Sequence, residues 1–118
     1  MKDKSELSLN AMQEQLPEIM QAFHKLHKEA TKEGALSAQV KELMAIAVSV
    51  ALRCERCIRV HTQTAIKMGI SKKEILEAAG VAILMAGGPA VASTSILCEV
   101  LDEVDDVDKV DDVDKSGI

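Results

Sequence analysis

An apolar run of ten residues, Leu43–Leu52, places the strongest limit on how this chain can fold. A membrane-spanning helix needs about 20 apolar residues, so the run is too short to cross a bilayer. As a helix it would be apolar on nearly every face, and such a helix is buried on most sides. A chain of 118 residues has little interior in which to cover it. The run therefore predicts a buried helix that contributes to a subunit interface.

The rest of the body follows the same helical pattern. No segment shows a sustained period of two, so the sequence predicts no strands. The fold class is expected to be all-α, with one domain of about five to six helices in an oligomeric helical bundle. We expect helices over about residues 17–33 and 38–52, then one that begins at the Cys54/Cys57 pair and runs to about Met68, and two more over about 72–86 and 90–101, after a weak polar helical start over residues 1–15.

Local capping signals set the expected ends of these helices. Ser37 is a good N-cap, and Ser71 with Glu74 three residues later matches a capping box. Gly34 is expected to end the helix that starts at Pro17, because glycine is common at helix C-termini.

Charge is concentrated near the C-terminal end. From Asp102 to Ile118 the chain carries eight acidic residues and two lysines, mostly in a six-residue unit that occurs twice. Low complexity and self-repulsion favour disorder in such a segment. We expect a helical domain over residues 1–101 and a disordered acidic tail over residues 102–118.

Composition also limits the partners. Phe23 is the only aromatic residue, so the stacking platforms of a single-strand binder are absent, and the near-neutral body has no basic footprint for nucleic acid. The first fifteen residues lack the apolar core of a signal peptide. We expect a soluble cytoplasmic protein that engages neither nucleic acid nor membranes. In that reducing compartment, a Cys-x-x-Cys pair indicates redox or metal chemistry.

The pair Cys54 and Cys57 is expected where a helix begins. Residues three apart on a helix share a face, which brings the two sulfurs close to disulfide distance. Unpaired N–H groups and the helix dipole at that end stabilise a thiolate. A thiolate is the form that attacks a peroxide or a disulfide.

His61 and Glu42 extend the pair into a relay. His61 lies one turn after Cys57, which predicts Cys57 as the nucleophile and Cys54 as the resolving thiol. If the chain reverses near Arg53, Glu42 on the preceding helix should lie nearer to His61 than to either sulfur. A carboxylate in that place would orient the histidine. The contact could also form across a subunit interface.

The full pattern is Glu42, eleven residues, then Cys54-x-x-Cys57-x-x-x-His61. It resembles the alkyl hydroperoxidase D-like branch of the carboxymuconolactone decarboxylase family, and the resemblance covers about Pro17 to Leu101. It implies an all-helical homo-oligomer, often a trimer or hexamer, that reduces hydroperoxides with its thiol pair. It also implies recycling by a dithiol such as a lipoyl group, without a cofactor, and a peroxidatic role for Cys57. Some peroxidase members carry a second histidine where this chain has Arg56.

Other interpretations of these residues remain open. The two cysteines, His61 and Glu42 could hold zinc in a non-catalytic binding or interaction module. A decarboxylase or lactone-processing enzyme would act without either cysteine. Outside this cluster, Cys98, Met44 and Met85 are expected in the core. His24 and His27 are expected at the surface of their helix.

Overall fold

The computed structural model describes the backbone of residues 4–115 and the side chains of residues 9–104. Within that part the chain forms six α-helices and no strand, which confirms the all-α class. The helices are α1 (Lys4–Gln15), α2 (Pro17–Thr31), α3 (Ala38–Leu52), α4 (Glu55–Lys67), α5 (Lys72–Ala86) and α6 (Gly88–Lys115).

The chain divides into two units, and the first comprises the residues up to Ala35. Its helix α2 begins with Pro17 in the first turn, where the missing N–H costs nothing. No residue of α2 is buried, and its apolar residues Ile19, Phe23 and Leu26 are more than half exposed. The predicted end at Gly34 is wrong. The helix stops at Thr31, and the Lys32 N–H closes its last turn on the Lys28 carbonyl.

The second unit starts at Leu36 and contains α3 to α6 around one core. Helix α3 packs against α4, α5 and α6, and α6 also packs against α4 and α5. The core is almost entirely aliphatic, as the lack of aromatic residues requires. Its buried apolar residues are Ile46, Val50, Ile58, Ala65, Ile70, Ile75, Ala79, Ala82, Ala90, Leu97, Val100 and Leu101.

The predicted caps of the second unit are confirmed. The Ser37 hydroxyl accepts a hydrogen bond from the Val40 N–H at 3.1 Å. Ser71 and Glu74 form the reciprocal capping box at the start of α5. That contact lowers the pKa of the Glu74 carboxyl, because the Ser71 hydroxyl and then the Ser71 N–H hydrogen-bond to its ionised form.

A tight reversal joins α3 to α4. The Arg53 N–H donates to the Val50 carbonyl and the Cys54 N–H donates to the Ser49 carbonyl, which is the pattern of a Schellman motif. Arg53 has φ 57°, in the left-handed region that glycine usually fills. A residue with a β-carbon pays about 1–2 kcal/mol there. This reversal turns α3 and α4 into the hairpin that the site requires.

Several apolar side chains of the second unit are exposed. Met44 and Met85 were expected in the core, and that prediction is wrong because they are 52% and 79% exposed. Met44 belongs to a stripe along α3, since residues four apart share a helix face. The stripe consists of Val40, Met44, Val48 and Leu52. The buried side of α3 is thus narrower than its composition suggests.

Helix α6 is longer than the sequence suggests. It runs from Gly88 to Lys115, so the predicted boundary at Leu101 falls inside a continuous helix. Side chains beyond Val104 and residues 116–118 lie outside the described part, and the division into domain and tail stays a prediction. In the portion covered by the structure, no helix has the length and apolar character needed to cross a membrane.

Candidate active site

Cys54 and Cys57 lie at the start of α4 and are joined by a disulfide. Cys54 is the N-cap residue, with extended backbone angles, and its sulfur accepts a hydrogen bond from the Cys57 N–H at 3.2 Å. Cys57 lies within the first turn. Both residues are half-buried, so an external thiol or peroxide can approach them. The expected placement of the pair at a helix N-terminus is confirmed.

Glu42 and His61 meet across the hairpin. The Nδ1 atom of His61 lies 2.5 Å from Oε1 of Glu42. A carboxylate can only accept, so Nδ1 carries the hydrogen and donates it. The Glu42 side chain is 5% exposed and that of His61 18%. The expected contact therefore forms within one chain, between α3 and α4.

The hairpin explains why these residues converge. Glu42 begins the buried face of α3, which continues through Ile46, Ser49 and Val50 toward the reversal. His61 follows Cys57 by four residues on α4, so the two lie on the same flank about 6 Å apart along the axis. The flank of α4 that faces α3 thus carries Cys57 and His61, and α3 supplies the carboxylate of Glu42.

The opposite flank of α4 carries a charge network that was not predicted from the sequence. The Arg59 guanidinium lies 3.4 Å from Glu55, 3.1 Å from Glu99 and 3.3 Å from Glu103. Desolvation by burial opposes its charge, but the hydrogen bonds to Glu103 and Glu55 leave the pKa of Arg59 raised. The spacing of four residues within each helix, Glu55 to Arg59 and Glu99 to Glu103, was the signal available in the sequence.

A polar group also lies on the core side of α4. Thr62 is fully buried. Its hydroxyl has no hydrogen-bond partner among the residues that the structure describes. The buried Ser49 hydroxyl, in contrast, donates to the Ala45 carbonyl at 2.6 Å. An unpaired buried hydroxyl is a cost to stability, so Thr62 marks an imperfect point of the core.

The remaining sequence candidates lie apart from this cluster. Cys98 was expected in the core, and that prediction is wrong because the residue is exposed on α6. His24 and His27 are exposed on α2, as expected. In the described part of the chain, no group of three or more His, Cys, Asp or Glu residues is arranged to hold a metal ion.

A groove of about 430 Å³ lies between α3 and α5. Its apolar lining comes from both helices, and Glu74 and Glu77 stand among its lining residues. None of the four predicted site residues lines it. The lining residues are Val40, Leu43, Met44, Ala47, Glu74, Glu77, Ala78 and Val81.

Comparison with known proteins identifies the family. The profile of the carboxymuconolactone decarboxylase family matches residues 17–97, more than half of the chain. The chain belongs to the carboxymuconolactone decarboxylase family. An uncharacterized protein from Cupriavidus necator is 37% identical over 67% of this chain and 70% of its own length. Uncharacterized protein 4 in the cox locus of Paracoccus denitrificans is 38% identical over 74% of this chain and 78% of its own length.

Solved structures of the carboxymuconolactone decarboxylase family share this fold. An apo protein of the family from Legionella pneumophila superposes with a TM-score of 0.79 and is 38% identical, covering 82% of this chain and 87% of the other. A second, from Thermotoga maritima, gives a TM-score of 0.71 at 30% identity, over 76% and 93% of the two chains. A part in the antioxidative response has been suggested for the Thermotoga protein.

Proposed function

We propose that this protein is a thiol-dependent hydroperoxide reductase and disulfide oxidoreductase with an antioxidant role, of the alkyl hydroperoxidase D-like type. The observation that carries the proposal is the Cys54–Cys57 disulfide on the same helix as a histidine held by a buried carboxylate. Nucleophile, base and orienting group are the parts that an activated thiol requires. The suggested antioxidative role of the Thermotoga relative agrees with it.

In the proposed reaction, Cys57 is the peroxidatic residue. His61 accepts the Cys57 proton on Nε2, since Nδ1–H is held by Glu42. The thiolate attacks the outer oxygen of the hydroperoxide, so an S–O bond forms and the O–O bond breaks. The alkoxide leaves as an alcohol after taking a proton from His61. Cys57 is oxidised to a sulfenic acid, and the peroxide is reduced.

Cys54 then resolves the sulfenic acid. Its thiolate attacks the Cys57 sulfur, the S–O bond breaks as the disulfide forms, and hydroxide leaves as water after taking up the proton that Cys54 released. The Cys57 N–H already hydrogen-bonds to the Cys54 sulfur, and that donor favours the thiolate form of Cys54. A dithiol such as a lipoyl group returns both cysteines to thiols and is itself oxidised to a disulfide.

We also propose that the protein is a cytoplasmic homo-oligomer, either a trimer or a hexamer. The α3 stripe of Val40, Met44, Val48 and Leu52 and the residues Leu84 and Met85 of α5 leave an apolar surface exposed. Exposed apolar surface of this kind is typical of protein–protein contacts. These exposed residues support association of copies through α3 and α5.

Peroxide consumption driven by dihydrolipoamide, in the presence of a chelator, tests the proposal. We expect turnover by the unaltered protein and none by Cys57→Ser, with Cys98→Ser as a matched control that retains activity. Turnover that Cys57→Ser retains would contradict the thiol mechanism, and no turnover by either protein would leave decarboxylase or lactone chemistry as the alternative. Turnover that appears only when zinc replaces the chelator would instead support a metal site.

A further inference from the structure

Two arginines flank the reactive pair at the start of α4. Arg53 directly precedes Cys54, and Arg56 lies between the two cysteines. Both side chains are exposed. Within the described residues, neither guanidinium forms an ion pair. Two positive charges therefore border the disulfide that a reductant must reach.

The nearby negative charge is already engaged. Glu55 also lies between the cysteines, but its carboxylate pairs with Arg59. Arg59 in turn contacts α6 through Glu99 and Glu103, so these acids lie on the flank of α4 away from His61. The network leaves Arg53 and Arg56 as the unpaired charges next to the sulfurs.

The backbone at Arg53 adds a second observation. Its φ of 57° is a conformation that glycine adopts without strain. The chain nevertheless carries a long cationic side chain there, and that side chain makes no ion pair within the described part. Strained positions of this kind often have a functional reason.

We propose that Arg53 and Arg56 recognise the carboxylate of an anionic thiol reductant. This inference rests on the proposed function and names the chemistry of its reducing partner. Guanidinium groups bind carboxylates through paired N–H···O contacts, and their field concentrates anions at the mouth of the site. Arg56, which lies between the two cysteines, is then a specificity residue.

The electron balance is that of thiol–disulfide exchange. The reductant thiolate attacks the Cys54 sulfur, forms a mixed disulfide and releases Cys57 as a thiolate, which His61 can protonate. The second thiol of the reductant then attacks the reductant's own sulfur in the mixed disulfide and releases Cys54. One dithiol is oxidised to a disulfide, and the Cys54–Cys57 pair is reduced to two thiols.

The test uses two reductants that differ only in charge, dihydrolipoate with a carboxylate and dihydrolipoamide with an amide. The rate of Cys54–Cys57 reduction is measured without peroxide, by alkylation and mass spectrometry. We expect Arg53→Gln/Arg56→Gln to slow reduction by dihydrolipoate about tenfold and to leave the dihydrolipoamide rate within about twofold. The dihydrolipoate rate of the unaltered protein should also fall as salt rises.

Two control variants keep the test decisive. Lys67→Gln removes one positive charge about 16 Å from Arg56 along α4, beyond the screening length of about 8 Å, and should change neither rate. Arg53→Lys/Arg56→Lys keeps both charges and should retain most of the preference. Equal slowing with both reductants, or no slowing, would overturn the proposal. Because no peroxide is present, these results are independent of whether the protein proves to be a peroxidase.

Discussion

Helix α4 makes a polar contact on each of two flanks, and the two contacts differ in burial. Toward α3, His61 pairs with Glu42, whose side chain is only 5% exposed. Toward α6, Arg59 pairs with Glu55, Glu99 and Glu103, whose side chains are 58–64% exposed. Solvent and salt screen the exposed contacts and weaken them. Loss of one partner of a buried contact leaves the other polar group buried without a hydrogen-bond partner. The larger number of contacts on the α6 flank therefore does not imply a larger effect on stability or turnover.

The largest expected effect comes from Glu42→Gln. An amide keeps the shape of the side chain and can still accept the Nδ1–H hydrogen bond, but it lacks the negative charge of a carboxylate. We expect peroxide turnover to fall about 10- to 100-fold, at or below the lower end of the about 100- to 10,000-fold contribution of general acid–base catalysis because His61 itself is retained, with the helical circular dichroism spectrum unchanged. Glu99→Gln, on the exposed flank, is the matched control and should leave turnover unchanged. Equal losses in both variants would remove the distinction between the flanks.

Thr62→Val tests whether a buried hydroxyl without a hydrogen-bond partner lowers the free energy of unfolding. The Thr62 hydroxyl is buried without a partner in the described part, and valine has nearly the same shape. We expect the free energy of unfolding to rise by about 1–2 kcal/mol. Chemical denaturation measures it, and Thr64→Val is the control because the exposed Thr64 hydroxyl donates to the Val60 carbonyl. A loss of stability in Thr62→Val would mean that the hydroxyl is satisfied in solution.

Arg59→Gln tests the exposed flank directly. Its three contacts are solvated, so we expect the free energy of unfolding to fall by less than about 1 kcal/mol and the loss to shrink in high salt. Turnover with an uncharged peroxide and dihydrolipoamide should change less than twofold. A loss of several kcal/mol would show that the network holds α4 against α6.

The smallest effect is expected at Glu74, a fully exposed carboxylate of the α5 capping box. Its pKa is lowered in the folded state because the Ser71 side chain and N–H hydrogen-bond to it. A carboxylate with a lowered folded pKa stabilises the fold above its unfolded pKa of about 4.3 and loses that contribution as pH falls through the folded value. Glu74→Ala should therefore differ most from the unaltered protein at neutral pH in denaturation midpoint, and least at about pH 3. A difference that grows on acidification would contradict this sign.

The contacts that the sequence predicts correctly are local or follow from one reversal. The Ser37 and Ser71 caps depend on residues three apart, and the Glu42–His61 contact needs only two helices joined at Arg53. Apart from the helix end expected at Gly34, the failures concern which face of a helix is covered. Met44, Met85 and Cys98 are apolar, but composition does not say whether their side of the helix meets the core. The contacts of Arg59 with α6 join residues 40 and 44 positions apart, and only the packing of α4 on α6 brings them together.

The most direct test of the account is the location of the sulfenic acid. Reduced Cys54→Ser protein is treated with one equivalent of hydroperoxide and a sulfenic-acid probe, and the labelled residue is identified by mass spectrometry. We predict a label on Cys57, whose formation slows when Glu42→Gln is added. A label on Cys54 in the Cys57→Ser protein, with none on Cys57 in Cys54→Ser, would contradict the assignment of Cys57 to the His61–Glu42 relay.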